Sequence, residues 1–310
     1  VNALDYPLFE FTPYDSALTS KMVDVAIHEK LDLFHVHYAI PHAAAGYLAR
    51  DIIMSKVGKY IPMITTLHGT DITIVGNDPS YRPVVEFSMN KSDGLTAVSC
   101  FLEEKTRNLF DMRRDIEVIH NFIDYERFQL TEEEKTMHRF VQEDEFVITH
   151  MSNFRKVKRV EDAVAVFDKI QKVHKARLVL IGDGPDRTLA EAKCRELKLC
   201  DKVMFLGKVG AIEEVLNNSD LFLLPSSNES FGLAALEAMA CGVAVISSNA
   251  EGIPEVNVHG ETGYMCDVGD VDNMAKYAIS LLDNPEKLAQ FKENARTRAK
   301  GFDIDNIVPH

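Results

Sequence analysis

The chain has 310 residues, 46% of them hydrophobic and 26% charged, enough for two water-soluble domains with a core each and no biased tract that argues for disorder. Its 34 basic and 48 acidic residues leave a net charge of −14, which repels a nucleic-acid backbone or an anionic membrane from most of the surface, so any phosphate site has to be local. Five scattered cysteines without a CxxC pair point to neither a disulfide framework nor a zinc centre and suit a reducing cytoplasm, and no apolar run is long enough to span a membrane.

The chain opens at Val1 and runs at once into turn-like sequence through Tyr6, Pro7, Thr12, Pro13, Tyr14 and Asp15, so N-terminal sequence is read as missing. Short apolar runs rich in β-branched residues then alternate with stretches of helical period, the mark of parallel βα units. In the first half this predicts strands over 31–37, 62–67, 95–98 and 116–120, with helices near 42–56, 80–91 and 100–110. Residues 128–144 are charged, carry Glu132, Glu133 and Glu134, and have no strand pattern; they read as a linker. The βα pattern restarts with strands over 146–151, 177–181, 203–206, 221–224 and 243–247, and helical sequence near 272–300 precedes a short tail, 301–310. The fold class is therefore α/β, with two Rossmann-like, doubly wound domains over 1–127 and 145–300. In such sheets ligands sit beyond the carboxyl ends of the strands.

The strongest chemical signal is the string from Glu229 to Glu237, Glu-Ser-Phe-Gly-Leu-Ala-Ala-Leu-Glu, which follows the strand ending at Leu224. Ser230 is expected as the N-cap of a helix whose first N–H groups, on Phe231, Gly232 and Leu233, point outward as a phosphate site. Gly232 lets a diphosphate approach the backbone, and Glu237, two turns in, suits the two hydroxyls of a ribose. The plain alternative is a capped helix with an acidic face.

Glu, seven intervening residues and Glu, with Ser-Phe-Gly between them, resembles the signature of the retaining nucleotide-sugar glycosyltransferases of family four, which have the GT-B fold with two domains facing a cleft. The run Ser152-Asn153-Phe154-Arg155-Lys156-Val157-Lys158-Arg159 stands where that family clamps the donor diphosphate. Lys158 matches the family lysine directly. The family arginine falls on Asn153 without a gap, and its role is assigned to Arg155. Gly182-Asp183-Gly184-Pro185 resembles the family's GDGP turn, although two glycines around an aspartate also make an ordinary tight turn. Gly207-Lys208-Val209 stands where the family contacts uracil. The resemblance makes 145–300 the donor-binding domain and 1–127 the acceptor-side domain, with the family's N-terminal strand and glycine loop lacking.

In the first half, His35-Val36-His37-Tyr38 and Leu67-His68-Gly69-Thr70-Asp71 fall at strand ends. Two histidines on one strand face invite a metal reading, but no Asp or Glu completes a set and no metal is expected. His68 resembles the family histidine beside the donor sugar, and Asn121-Phe122-Ile123-Asp124 resembles the turn that ends the first domain. The strings LHGTDIT, SNFRKVKRVED and GIPEV are similar to those of the branch that transfers N-acetylglucosamine from UDP-N-acetylglucosamine to L-malate, the first step of bacillithiol biosynthesis. The resemblance implies His68, Arg155, Lys158 and Glu229 as catalytic residues, and Asn153, Gly182, Lys208, Val209, Ser230, Phe231, Gly232, Leu233 and Glu237 as donor-binding residues. It offers Tyr38, Thr70, Arg82 and Asn121 for the acceptor. Two alternatives stay open, a UDP-N-acetylglucosamine 2-epimerase of the same fold and a non-catalytic nucleotide-sugar binding protein; a homo-oligomer is compatible with either.

Overall fold

The computed structural model describes residues 13–131 and 144–309, and the chain divides into two units, 1–120 and 121–310. Most of the expected linker, including its three glutamates, and the opening residues 1–12 lie outside the described residues. The first unit contains α1 (Tyr14–His28), β1 (Phe34–His37), α2 (Ala44–Val57), β2 (Met63–Leu67), α3 (Arg82–Lys91), β3 (Gly94–Ala97), α4 (Cys100–Leu109) and β4 (Glu117–Val118). Its four parallel strands lie in sequence order, β1–β2–β3–β4. Helix α1 departs from the sequence expectation: Tyr14 and Asp15 are not turn but the first turn of a helix that starts directly after Pro13. Its polar and apolar residues are spread almost evenly around the axis, so no helical stripe announces it.

The period of two along β1 divides its residues between two faces. Phe34 and Val36 join Val23 and Ala26 of α1, Ala49 and Ile53 of α2, and Met63 of β2 in one core, each large side chain contributing about 2 kcal/mol by burial. His35 and His37 turn to the opposite, exposed face.

The second unit contains β5 (Phe146–Met151), α5 (Val160–Ile170), β6 (Ala176–Ile181), α6 (Arg187–Glu196), β7 (Val203–Gly207), α7 (Ile212–Leu216), β8 (Leu221–Leu224), α8 (Leu233–Ala240), β9 (Ala244–Ser248), β10 (Gly263–Cys266), α9 (Val271–Leu282), α10 (Pro285–Lys300) and α11 (Ile304–Ile307). The sheet is parallel throughout, in the order β10–β9–β8–β5–β6–β7. Five of these strands follow from the sequence; the sixth, β10, extends the sheet beyond β9. Gly263 opens β10 because a Cβ there would stand 1.8 Å from the Val245 carbonyl oxygen. Residues 121–127, read from sequence with the first domain, are fastened to this unit: Ile123 N–H donates to the Phe302 carbonyl (3.0 Å), and Ile304 N–H donates to the Ile123 carbonyl (2.8 Å).

The strand order reverses at β5. From β5 the chain builds outward through β6 and β7, then returns to place β8 on the other side of β5. The segments leaving β5 and β8 therefore emerge side by side, at the switch point where this architecture makes a crevice. A buried histidine shapes the first of them. His150 Nδ1 lies 2.9 Å from the Leu223 carbonyl, which can only accept, so Nδ1 carries the proton and Nε2 accepts from Ser152 Oγ at 2.9 Å. Ser152 Oγ in turn accepts from Phe154 N–H (3.2 Å). Phe154 takes a left-handed φ of 38°, a cost offset by complete burial of its ring. On the other flank, Gly182 at φ 114° approaches so closely that a Cβ would stand 1.8 Å from the Ser152 carbonyl oxygen.

Two outcomes are expected. Gly182→Ala loses at least about 2 kcal/mol in denaturant unfolding, since both its backbone conformation and its space forbid a side chain; a neutral variant contradicts the close approach. Burial holds the His150 imidazole down at about 4, against the ordinary 6.5. The unfolded chain then binds a proton that the native state refuses, so stability falls by up to about 3 kcal/mol as pH drops from 6.5 towards 4. His150→Gln flattens that part of the pH–stability curve, and an unchanged slope speaks against a neutral buried imidazole.

Candidate functional site

The two segments leaving the switch point are tied to each other. Ser227 N–H donates to the Val157 carbonyl at 2.8 Å, and the Lys158 ammonium pairs with Glu229 Oε2 at 2.5 Å. Both side chains are mostly shielded, 19% and 15% exposed, so water screens the pair less than it would at the surface. Lys158 closes a single helical turn, Lys156–Lys158, and Arg155 stands exposed immediately before it, with no ion pair among the described residues. Asn153 is exposed as well. The sequence candidates Lys158 and Glu229 thus meet directly, with Arg155 beside them in the chain.

Glu229 is held from its other side by a residue that sequence reasoning missed. Glu251 accepts from Glu229 N–H (2.8 Å) and from Asn228 Nδ2 (3.0 Å), at a left-handed φ of 50°. Gly252 N–H donates to the Glu229 carbonyl at 2.9 Å, and a Cβ on Gly252 would stand 2.1 Å from the Ser230 carbonyl oxygen. The signal was available, because Glu251 and Gly252 sit just beyond β9, where the strand-end rule directs attention.

Helix α8 begins later than its sequence suggests. Its N-cap is Gly232, at φ 100°, and not Ser230; no side chain caps it. Phe231 is 1% exposed and meets Phe302 edge to face (5.5 Å), so its ring anchors the turn while its backbone leads into the helix. Gly232 is buried and Leu233 exposed. The N–H groups of Gly232, Leu233 and Ala234 find no acceptor among the described residues, as expected for a first helical turn, which leaves them for an anion. Glu237, half-buried, has no hydrogen bond to its carboxylate among the described residues. Burial pushes this carboxyl up to about 7, with Arg127 pulling it down and Glu213 adding to the rise. Arg127 donates to Glu213 Oε2 (3.2 Å) and to the Gly210 carbonyl (3.4 Å), beside the exposed Lys208 and the half-buried Val209.

Within the first unit, His37 Nδ1 and His68 Nε2 are hydrogen-bonded at 2.8 Å, and the Tyr38 ring lies 4.8 Å from that of His68. On the same strand face, His35 Nε2 is engaged by Thr66 Oγ1 at 2.8 Å. Buried Asp71 knots the two strand ends together, accepting from the N–H groups of Ala39 (2.8 Å), Gly69 (3.0 Å) and His68 (3.3 Å). Burial raises its carboxyl, and those donors oppose the rise. Thr70, between Gly69 and Asp71, is exposed. Arg82 is engaged elsewhere, its guanidinium over the Phe110 ring (5.4 Å) and bonded to the Leu109 carbonyl, tying α3 to the end of α4. Asn121 opens the second unit.

The family model for glycosyl transferases group 1 matches residues 132–298, and that for glycosyltransferase family 4 matches residues 1–127. N-acetyl-alpha-D-glucosaminyl L-malate synthase of Bacillus anthracis is 46% identical over 299 residues, which cover 96% of this chain and 77% of that protein. Two solved structures share the fold: Anabaena HepE in complex with UDP (TM-score 0.80, 22% identity, 94% of this chain and 79% of that one) and sucrose-phosphate synthase from Thermosynechococcus elongatus (TM-score 0.82, 21% identity, 100% of this chain and 80% of that one). The chain belongs to the group 1 glycosyl transferases, with a family 4 glycosyltransferase region ahead of the group 1 region, and has their two-unit GT-B fold.

Proposed function

We propose that the chain transfers N-acetylglucosamine from UDP-N-acetylglucosamine to L-malate with retention of configuration, as the first step of bacillithiol biosynthesis, in the cytoplasm. The observation that carries the donor half is the Lys158–Glu229 pair set beside the N–H groups that open α8, which have no acceptor among the described residues. The acceptor half rests on the extensive identity to a protein named for malate glucosaminylation. In this reading Arg155, Lys158 and the start of α8 take up the charge that grows on the leaving diphosphate, where preorganised cations and dipoles act most strongly. No resident metal is called for. The acceptor attacks from the face that the diphosphate leaves, and a diphosphate oxygen takes its proton. Glu229 holds the sugar's C3 and C4 hydroxyls, Glu237 the ribose, and Gly207 to Val209 the uracil. The family resemblance assigns His68 to the sugar, and Tyr38 and Thr70 to the acceptor.

UDP release from UDP-N-acetylglucosamine, followed against a panel of small hydroxy acids and inositol phosphate, tests the whole reading. Malate alone is expected to stimulate release and to appear as the α-glycoside; formation of the 2-epimer without malate, or binding without turnover, overturns it. Lys158→Ala is expected to lower kcat by about a hundredfold while UDP affinity falls less than tenfold, because the lysine acts chiefly on transition-state charge. Equal losses in both contradict that role. Glu237 adds a pH dependence. Ribose hydroxyls stabilise its ionised form, so UDP affinity declines as pH falls below about 7, and Glu237→Gln removes that dependence while weakening binding throughout.

A further inference from the structure

We propose that Glu251 is a positioning residue for the reaction: by gripping the backbone of Glu229 it sets where the Glu229 carboxylate stands when the nucleotide sugar arrives. This rests on the reading above that Glu229 holds the sugar hydroxyls. Glu251 takes a left-handed φ of 50°, which glycine adopts freely and other residues keep where their surroundings enforce it. Here hydrogen bonds to both carboxylate oxygens do so. Oε2 accepts from Glu229 N–H (2.8 Å) and Oε1 from Asn228 Nδ2 (3.0 Å). One side chain from the segment after β9 thus holds two consecutive residues of the segment after β8.

Gly252 completes the grip, its N–H donating to the Glu229 carbonyl at 2.9 Å. Both backbone polar groups of Glu229 are therefore bonded to the consecutive residues 251 and 252, and its flanking peptide planes cannot turn without breaking one of these bonds. Just upstream, Ser227 N–H donates to the Val157 carbonyl (2.8 Å), and Ser227 Oγ lies within reach of the same carbonyl (3.3 Å) and of Asn228 Oδ1 (3.2 Å). What stays adjustable at Glu229 is its side chain, which pairs with Lys158 at 2.5 Å. The two acids therefore have separate tasks: the oxygens of Glu251 face neutral donors of the loop, and Glu229 faces the cation. Exchanging the ammonium for sugar hydroxyls requires the Glu229 carboxylate to swing about its own bonds over a backbone that keeps still. A loop free to turn would follow the ligand and lose the alignment that the reacting sugar needs.

Binding of UDP and of UDP-N-acetylglucosamine, measured by calorimetry alongside malate-dependent UDP release, tests the proposal. Glu251→Gly removes the carboxylate while relieving the left-handed backbone, so its thermal midpoint is expected within about 3 °C of wild type. Its kcat falls about tenfold and its affinity for the nucleotide sugar about fivefold, whereas UDP, which lacks the sugar, binds within about twofold of wild type. Glu251→Gln keeps both contacts once the Asn228 amide turns over, with Ser227 Oγ accepting from it and donating to Val157, and restores most of the rate. In a Glu229→Ala background, adding Glu251→Gly lowers the rate no further, because the grip acts through Glu229. The same cycle with Glu251→Ala reports this coupling should the glycine variant unfold. Losses that multiply in the double variant overturn the proposal, as do UDP and UDP-N-acetylglucosamine weakened alike, or a glutamine variant as impaired as the glycine one. A wild-type protein that releases no UDP, but in which Glu251→Gly still weakens UDP-N-acetylglucosamine and spares UDP, supports the grip and counts against the reaction assigned to it.

Discussion

The second unit depends on the lateral pairing of β5 with β8. Because Ile148 pairs with Leu221 and Thr149 with Phe222, strands that are far apart in sequence end at the same level, and the segments that follow have to share one crevice. Everything chemically distinctive in this unit is then a matter of shaping those two segments. The His150–Ser152–Phe154 chain sets the first, Gly182 lets β6 close over it, and Glu251 with Gly252 clamps the second. Lys158 and Glu229 meet because the strands beneath them meet.

The first unit solves a similar problem with one carboxylate. Asp71 accepts three backbone N–H groups from the ends of β1 and β2, so two loops that would otherwise move independently are joined at a buried point. A carboxylate in that position is costly to bury, and the donors make the burial tolerable. Its effect is to hold Tyr38 and His68 at a fixed spacing, which is what a site built on strand-end loops requires.

Much of this was legible in the sequence, for reasons that differ by residue. Strands such as 146–151 and 221–224 are buried on both faces and read as apolar runs, and the Glu229–Glu237 string sits where a strand hands over to a helix. Other features left no local trace. Helix α1 lacks an apolar stripe, and β10 is short and begins with a glycine whose purpose, close approach to Val245, exists only in the folded sheet. Ser230 looked like an N-cap because serine is favoured there, but the left-handed Gly232 begins the helix two residues later. The two glycines after β6 could be read as a tight turn or as a ligand loop. Their geometry shows a third use, contact with the backbone of Ser152 and Asn153. The position of Glu251 just beyond β9 was readable, but its partners Asn228 and Glu229, like the backbone donors of Asp71, are not revealed by single-sequence patterns.

The pairing of Lys158 with Glu229 also bears on how an acidic protein of net charge −14 keeps a cation ready for a diphosphate. Two opposite charges so well shielded cost less to bury together than either would alone. On the proposed reading, an arriving diphosphate takes over a lysine whose desolvation was already met when the chain folded. Glu229, relieved of its partner, turns to the sugar hydroxyls. Binding is then an exchange of partners around one ammonium group instead of the burial of a new charge. The exchange is selective, because a ligand with a diphosphate but no hydroxylated sugar frees Glu229 and leaves it without a replacement, while the full nucleotide sugar satisfies both ends of the pair.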